Sequence, residues 1–193
     1  MRRLVVAICA LLLCAACSEP PQKEIDRAQG AIDAARAAGA DQYAPEPFTA
    51  ATTAMQQTHE AVQQRDYRLA LSRATDANER ALEAARQAAN GKARARGDAE
   101  SAAAHLATSI RQLDERLKVA DANRPPVREA ESARRTRADA DRALQEARAA
   151  IGAGNYLAAL ASTKGLPERV AAEIRTLNEA VDARSGRGTK RRR

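Results

Sequence analysis

Apolar residues recur every three or four positions along most of the chain. Ile25, Ala28, Ile32, Ala35 and Gly39 mark a first helix that closes near Ala38-Gly39. Tyr43-Ala44-Pro45-Glu46-Pro47 predicts extended backbone, because a residue preceding proline is pushed out of the helical region. Phe48, Ala51, Met55, Thr58 and Val62 form a second stripe. Asp66 stands where it can cap a third helix, with Tyr67, Ala70, Leu71, Ala74, Ala77, Ala81 and Ala85 on its inner face. Gly91 and Gly97 predict a kink or break near residue 94. Beyond it, Ala99, Ala103, Leu106, Ile110, Leu113, Leu117 and Ala120 keep the alternating four-three spacing of a coiled-coil seam. Pro125-Pro126 ends that helix and opens another through Ala133, Ala140, Leu144, Ala147 and Ile151, a stripe interrupted by Arg137.

No segment alternates apolar and polar residues with the period of a strand. The residues between the stripes are mostly Ala, Glu, Gln, Arg and Leu, all strong helix formers. The expected fold is all-α, an elongated bundle of long Ala-rich helices arranged as helical hairpins. One segment echoes another: AVQQRDYRLAL at 61–71 aligns with AIGAGNYLAAL at 150–160, an offset of 89. In both, an apolar helix meets a polar turn, then Asp66 or Asn155 as a cap, then Tyr67 or Tyr156. Each tyrosine is expected to pack the corner of an αα-hairpin. Stacked hairpins would be tetratricopeptide-like, yet an offset of 89 far exceeds the period of such arrays. Shared corner chemistry without true repetition is the alternative. These signals divide the chain into a first hairpin region, 23–94, and a second, 95–183.

The N-terminal segment carries a different pattern. Met1-Arg2-Arg3 is cationic, and Leu4 to Ala16 is almost wholly apolar and too short to span a bilayer as a helix. That is the layout of a secretory signal. All three cysteines, Cys9, Cys14 and Cys17, lie in it or at its end. Ala15-Ala16-Cys17 resembles the lipobox of bacterial lipoproteins. The resemblance implies cleavage after Ala16 (signal 1–16), lipidation of Cys17, and a short linker, 17–22. Ser18, in place of the aspartate that retains such proteins in the inner membrane, implies outer-membrane sorting and a periplasm-facing protein. An ordinary secretion signal cut near Ala16, leaving Cys17 a free thiol, is the alternative. The stretch Tyr43-Ala44-Pro45, Phe48, Asp66-Tyr67, Ala70, Ala74, Ala77 and Ala81 resembles a short helical domain of unknown function. That domain occurs in bacterial envelope lipoproteins, sometimes ahead of an OmpA-like peptidoglycan-binding domain. The resemblance covers residues 43–85 and implies an envelope location without an activity.

Charge narrows the partners. The formal net charge is +7. Arg2 and Arg3 belong to the leader, and six cations (Arg184, Arg187, Lys190, Arg191, Arg192 and Arg193) stand in 184–193 without an acid. The body from Cys17 to Ala183 is thus nearly neutral, which argues against nucleic acid as a partner. The expected basic disordered tail, 184–193, can bind an anionic membrane or envelope polymer, or serve only as a solubilising end. His59 and His105 are the two histidines, and no HExxH or Cys/His metal spacing occurs. Gly152-Ala153-Gly154 lacks the strand and lysine of a phosphate loop. Carboxylates sit among arginines at helical pairing distance. No catalytic residue, metal ligand or cofactor is expected.

The composite expectation is a lipid-anchored, non-enzymatic envelope protein that acts as spacer or adaptor. Its alternative is a helical-hairpin module that captures a peptide or protein of the periplasm in a groove.

Overall fold

Each apolar stripe of the sequence is a helix in the structure, a computed structural model that describes the backbone of residues 19–122 and 127–190. The helices are α1 (Gln22–Ala37), α2 (Ala40–Tyr43), α3 (Pro45–Gln63), α4 (Tyr67–Ala122), α5 (Val127–Gly152), α6 (Tyr156–Thr163) and α7 (Leu166–Lys190). The described residues contain no strand, so the fold is all-α. The chain divides into two compact units, Met1–Lys92 and Ala93–Arg193, and α4 supplies residues to both.

The first unit packs α1, α2 and α3 with the N-terminal part of α4. Ile25, Ala28 and Ile32 of α1 meet Ala51, Ala54 and Met55 of α3 and Ala74, Ala77 and Ala81 of α4. A smaller cluster joins Ala35, Ala40 and Ala44 to Ala84 and Ala88, with Tyr43 and Phe48 against it. Leu71, expected on the inner face, is 42% exposed. It follows the fully buried Ala70 and is turned about 100° away from it.

The second unit has bulkier contents. Leu106, Ile110, Leu113 and Leu117 of α4 pack with Leu144 of α5 and Leu166, Val170 and Leu177 of α7. The last three lie on a helix that the stripes leave unmarked. Its start is set by Lys164-Gly165, where Gly165 takes φ 73° and separates α6 from α7.

Two expected breaks are absent or smaller than expected. The helix α4 runs without interruption through residue 94. Gly91 is there because its neighbour demands it: a Cβ would stand 2.7 Å from the Tyr43 carbonyl oxygen and 3.2 Å from Tyr43 Cβ. Two glycines cost the helix about 1 kcal/mol each relative to alanine, which tertiary packing offsets. At the prolines, the non-helical backbone narrows to Ala44 (φ −148°, ψ 56°), and α3 begins at Pro45. First-turn amides have no partner within the helix, so proline sacrifices nothing there.

The two aligned corners share one backbone design. After α3, Arg65 N–H donates to Val62 O (2.9 Å) and Asp66 N–H to Ala61 O (2.9 Å). After α5, Gly154 N–H donates to Ile151 O (3.0 Å) and Asn155 N–H to Ala150 O (2.8 Å). Both are Schellman closures, which place one residue in the left-handed region. Gly154 takes it at φ 78°, whereas Arg65 takes it at φ 57°, the one non-glycine there among the described residues. The caps differ. Asp66 Oδ1 accepts the Leu69 amide at 2.9 Å, but Asn155 makes no side-chain capping bond to α6, contrary to the sequence expectation.

Two stability predictions result. Gly91→Ala lowers stability by about 1–3 kcal/mol through overpacking, although alanine is the better helix former. Gly97→Ala, with nothing within 4 Å of its new Cβ, raises stability by up to about 1 kcal/mol. Thermal or urea unfolding of the two variants reads the opposite signs, and equal signs refute the account of Gly91. At the corners, Arg65→Gly stabilises by about 1 kcal/mol and Gly154→Ala destabilises by a similar amount. Denaturant midpoints that move the other way refute the left-handed assignments.

Candidate functional site

The hairpin formed by α3, the 64–66 corner and α4 encloses an open groove of about 650 Å³. One wall is α3, with Glu46, Thr49, Thr53 and Gln57; the other is α4, with Arg73, Asp76 and Arg80; Ala50 and Ala54 form an apolar floor. The corner sets the pairing of the walls. Gln57 lies eight residues before Arg65 and Arg73 eight residues after it, so the two stand across the groove from each other. Asp76 and Arg80 form an ion pair of 2.8 Å along one helix. Among the described residues, neither Arg73 nor Glu46 makes an ion pair or side-chain hydrogen bond.

The threonines show how unusual this wall is. Thr52, Thr58, Thr75, Thr108, Thr163 and Thr176 each turn the hydroxyl back onto a carbonyl of the preceding turn. Thr136 instead bonds Glu173 Oε1 at 3.3 Å. Of the threonines whose side chains are described, only Thr49 and Thr53 leave the hydroxyl without a partner. Both line the groove. Sequence reasoning missed this wall; its signal is the polar series 49, 53, 57 flanking the apolar stripe of α3.

The tyrosines expected at the corners behave differently. Tyr156 is half-buried and packs against the cluster of Ala99, Ala147 and Ala159, beside Ile151 and Leu160. Tyr67 is half-buried and belongs to neither apolar cluster of the first unit. The second corner is therefore wedged by its tyrosine, and the first rests on the Asp66 cap.

Arg137, the interruption in the α5 stripe, bridges two helices. Its Nε donates to Asp114 Oδ1 at 2.9 Å, and Nη1 reaches Asp141 Oδ2 at 2.7 Å. The hydrogen bond to Asp114, with the charge of that carboxylate, raises the affinity of the guanidinium for its proton. Arg134 pairs with Asp121 at 2.6 Å, and Glu173 of α7 accepts from Ser132 at 2.9 Å. These contacts dock α5 against α4 and α7.

Cys17 lies outside the described residues, as do Arg191, Arg192 and Arg193. Helix α7 continues through Lys190, so the backbone at Arg184, Arg187 and Lys190 is helical where a disordered tail is expected. A preceding helix supplies the nucleus, and each added residue gains a hydrogen bond, which outweighs Gly186 and Gly188. A helical 184–190 reaches about 10 Å at 1.5 Å per residue, well short of an extended strand. His59 and His105 are exposed and far apart in sequence. Among the described residues, no three His, Cys, Asp or Glu gather as metal ligands, and no helix is long and apolar enough to cross a membrane.

Compared with protein families, characterised proteins and solved structures, the chain has no match.

The two corners predict unequal sensitivity. Tyr156→Ala removes a half-buried wedge and costs about 2 kcal/mol, below the range for a fully buried aromatic. Tyr67→Ala costs under about 1 kcal/mol by the same reasoning. Unfolding free energies that rank the two in reverse would refute the assignment of the wedge to the second corner.

Proposed function

We propose that this chain is a lipid-anchored, non-enzymatic protein of the bacterial envelope that works as a spacer or adaptor. The observation carrying this reading is Ala15-Ala16-Cys17 after a cationic start and a short apolar run. Cys17 takes the lipid, and the other two cysteines leave with the leader, so the mature chain keeps no thiol for catalysis or disulfide formation. Multiple acyl chains hold a protein on a membrane far more firmly than one. Ser18 directs the anchor to the outer membrane. The non-enzymatic part of the reading draws its support from the lack of an HExxH or Cys/His spacing in the sequence and from two exposed histidines.

An adaptor needs a second attachment, and the cationic end supplies one. Six cations in 184–193 face no acid in that segment. Each contributes about 1 kcal/mol at an anionic surface, whether phospholipid, lipopolysaccharide phosphate or wall polymer.

Mass spectrometry of the mature N-terminus tests the anchor. The expected product begins at an acylated Cys17, and Cys17→Ser releases the protein from membranes; an unmodified N-terminus at Ser18 or beyond overturns it. Co-sedimentation of the unlipidated protein with anionic vesicles tests the second attachment. Removing 184–193 should abolish binding, and salt should weaken it steeply, because charges are screened over about 8 Å at physiological ionic strength. Equal binding with and without the segment rejects it.

A further inference from the structure

We infer that the groove between α3 and α4 binds a short extended peptide with free termini, its carboxylate on Arg73 and its ammonium group toward Glu46. Spacing carries the argument. Thr49, Thr53 and Gln57 stand four residues apart on one helix, which separates successive side chains by about 6 Å along the axis. An extended chain repeats every two residues at about 6.6 Å. Each of the three polar groups therefore meets every second peptide unit of an extended ligand. The Thr49 and Thr53 hydroxyls are free to do so, whereas the other described threonines are committed to partners within the chain.

The ends define the length and polarity of the ligand. Glu46 and Gln57 are eleven residues apart, about 16 Å along α3, which matches five extended residues at about 3.3 Å each. Arg73 faces the Gln57 end and lacks a carboxylate partner among the described residues, so it offers a charge-assisted bond to a C-terminal carboxylate. Glu46, at the other end, offers the matching acid to an ammonium group. Arg80 is already neutralised by Asp76 at 2.8 Å and adds no net charge to the middle. There, Ala50 and Ala54 present methyl groups only, so the backbone of a ligand can approach the floor closely. A volume of about 650 Å³ falls within the range of about 300–1,000 Å³ for small-ligand sites. The inference goes beyond spacing, since a tether needs no groove with free donors. It rests on the groove alone.

The probe is pentaalanine with free termini, titrated into the full chain and followed by calorimetry and by the backbone amide resonances of α3. Saturable binding is expected, with shifts at Thr49, Thr53 and Gln57. Amidation of the C-terminus weakens it about tenfold. Arg73→Gln causes a similar loss for the free peptide but no further loss for the amidated one, since both remove the same bond. Acetylation of the N-terminus and Glu46→Gln behave likewise at the other end. Arg73 and Glu46 are exposed, so neither change threatens folding, and unchanged thermal melting confirms it. Absence of saturable binding at millimolar peptide, equal affinity for free and blocked peptides, or an unaffected Arg73→Gln variant each overturns the inference. None of these readouts depends on lipidation of Cys17 or on residues 184–193, so failure here and failure of the anchor are separately visible.

Discussion

The close approach of alanine faces is the constraint on which the first unit depends. In the part of α4 that belongs to this unit the buried positions are Ala70, Ala74, Ala77, Ala81, Ala84 and Ala88, all with no measurable exposure. Their four-three spacing makes them one seam. A buried methyl contributes only about 0.8 kcal/mol, so such a seam stabilises through contact density and not through area. That works only while backbones stay close. Gly91 marks a point of close approach, where the carbonyl of Tyr43 occupies the space a side chain would need. The glycine in the middle of the longest helix is thus a packing residue whose propensity cost is local and whose benefit is tertiary.

The second unit solves the same problem with different chemistry. Leu106, Leu113 and Val170 are fully buried there, and Leu177 nearly so. Larger side chains bury more area and also tolerate more rotation between helices. Orientation is then fixed by polar contacts between helices: Arg137 with Asp114, Arg134 with Asp121, and Ser132 with Glu173. Partly exposed pairs of this kind add little stability, about 0–1 kcal/mol each. Their effect is to tie α5 to α4 and α7 at defined points along the helices. In the first unit the ion pairs among described residues run along single helices, as in Arg36–Asp33, Arg80–Asp76 and Arg86–Glu83. Register comes instead from the Tyr43–Gly91 contact, the 64–66 corner and Arg36 lying 5.4 Å over the Phe48 ring.

These differences explain what could be read from the chain beforehand. Stripes at helical spacing were legible because burial follows them: Ile25, Ala28, Ile32 and Ala35 are all buried, as is the whole series from Ala99 to Ala120. Asp66 as a cap and the kinship of the two corners were legible too, since both depend on local backbone chemistry. Glycine was misread at residue 91, because propensity reports the helix and not the neighbour that presses on it. The start of α7 was unread, since Gly165 resembles any loop glycine until its φ is known. The lining of the groove escaped notice for a different reason. Its residues are exposed threonines, a glutamine and arginines, which in sequence look like an ordinary solvated face. Only the absence of a back-bond at Thr49 and Thr53 separates them from the rest.

The groove and the core of the first unit are not independent. Ala54 is 3% exposed and belongs to the cluster with Ile25, Met55 and Ala74, yet it also forms the groove floor. A larger side chain there would both fill the groove and push α3 from its neighbours, so small residues are required from two directions at once. Thr58, one turn further along α3, is completely buried and satisfies its hydroxyl on Ala54 O at 2.9 Å. A buried hydroxyl without a partner would cost about 1–3 kcal/mol, so Thr58 must bond back. Thr49, being exposed, bears no such cost and can keep its hydroxyl turned outward, as can Thr53. Burial thus obliges Thr58 to serve the fold, whereas Thr49 and Thr53 remain available to a ligand.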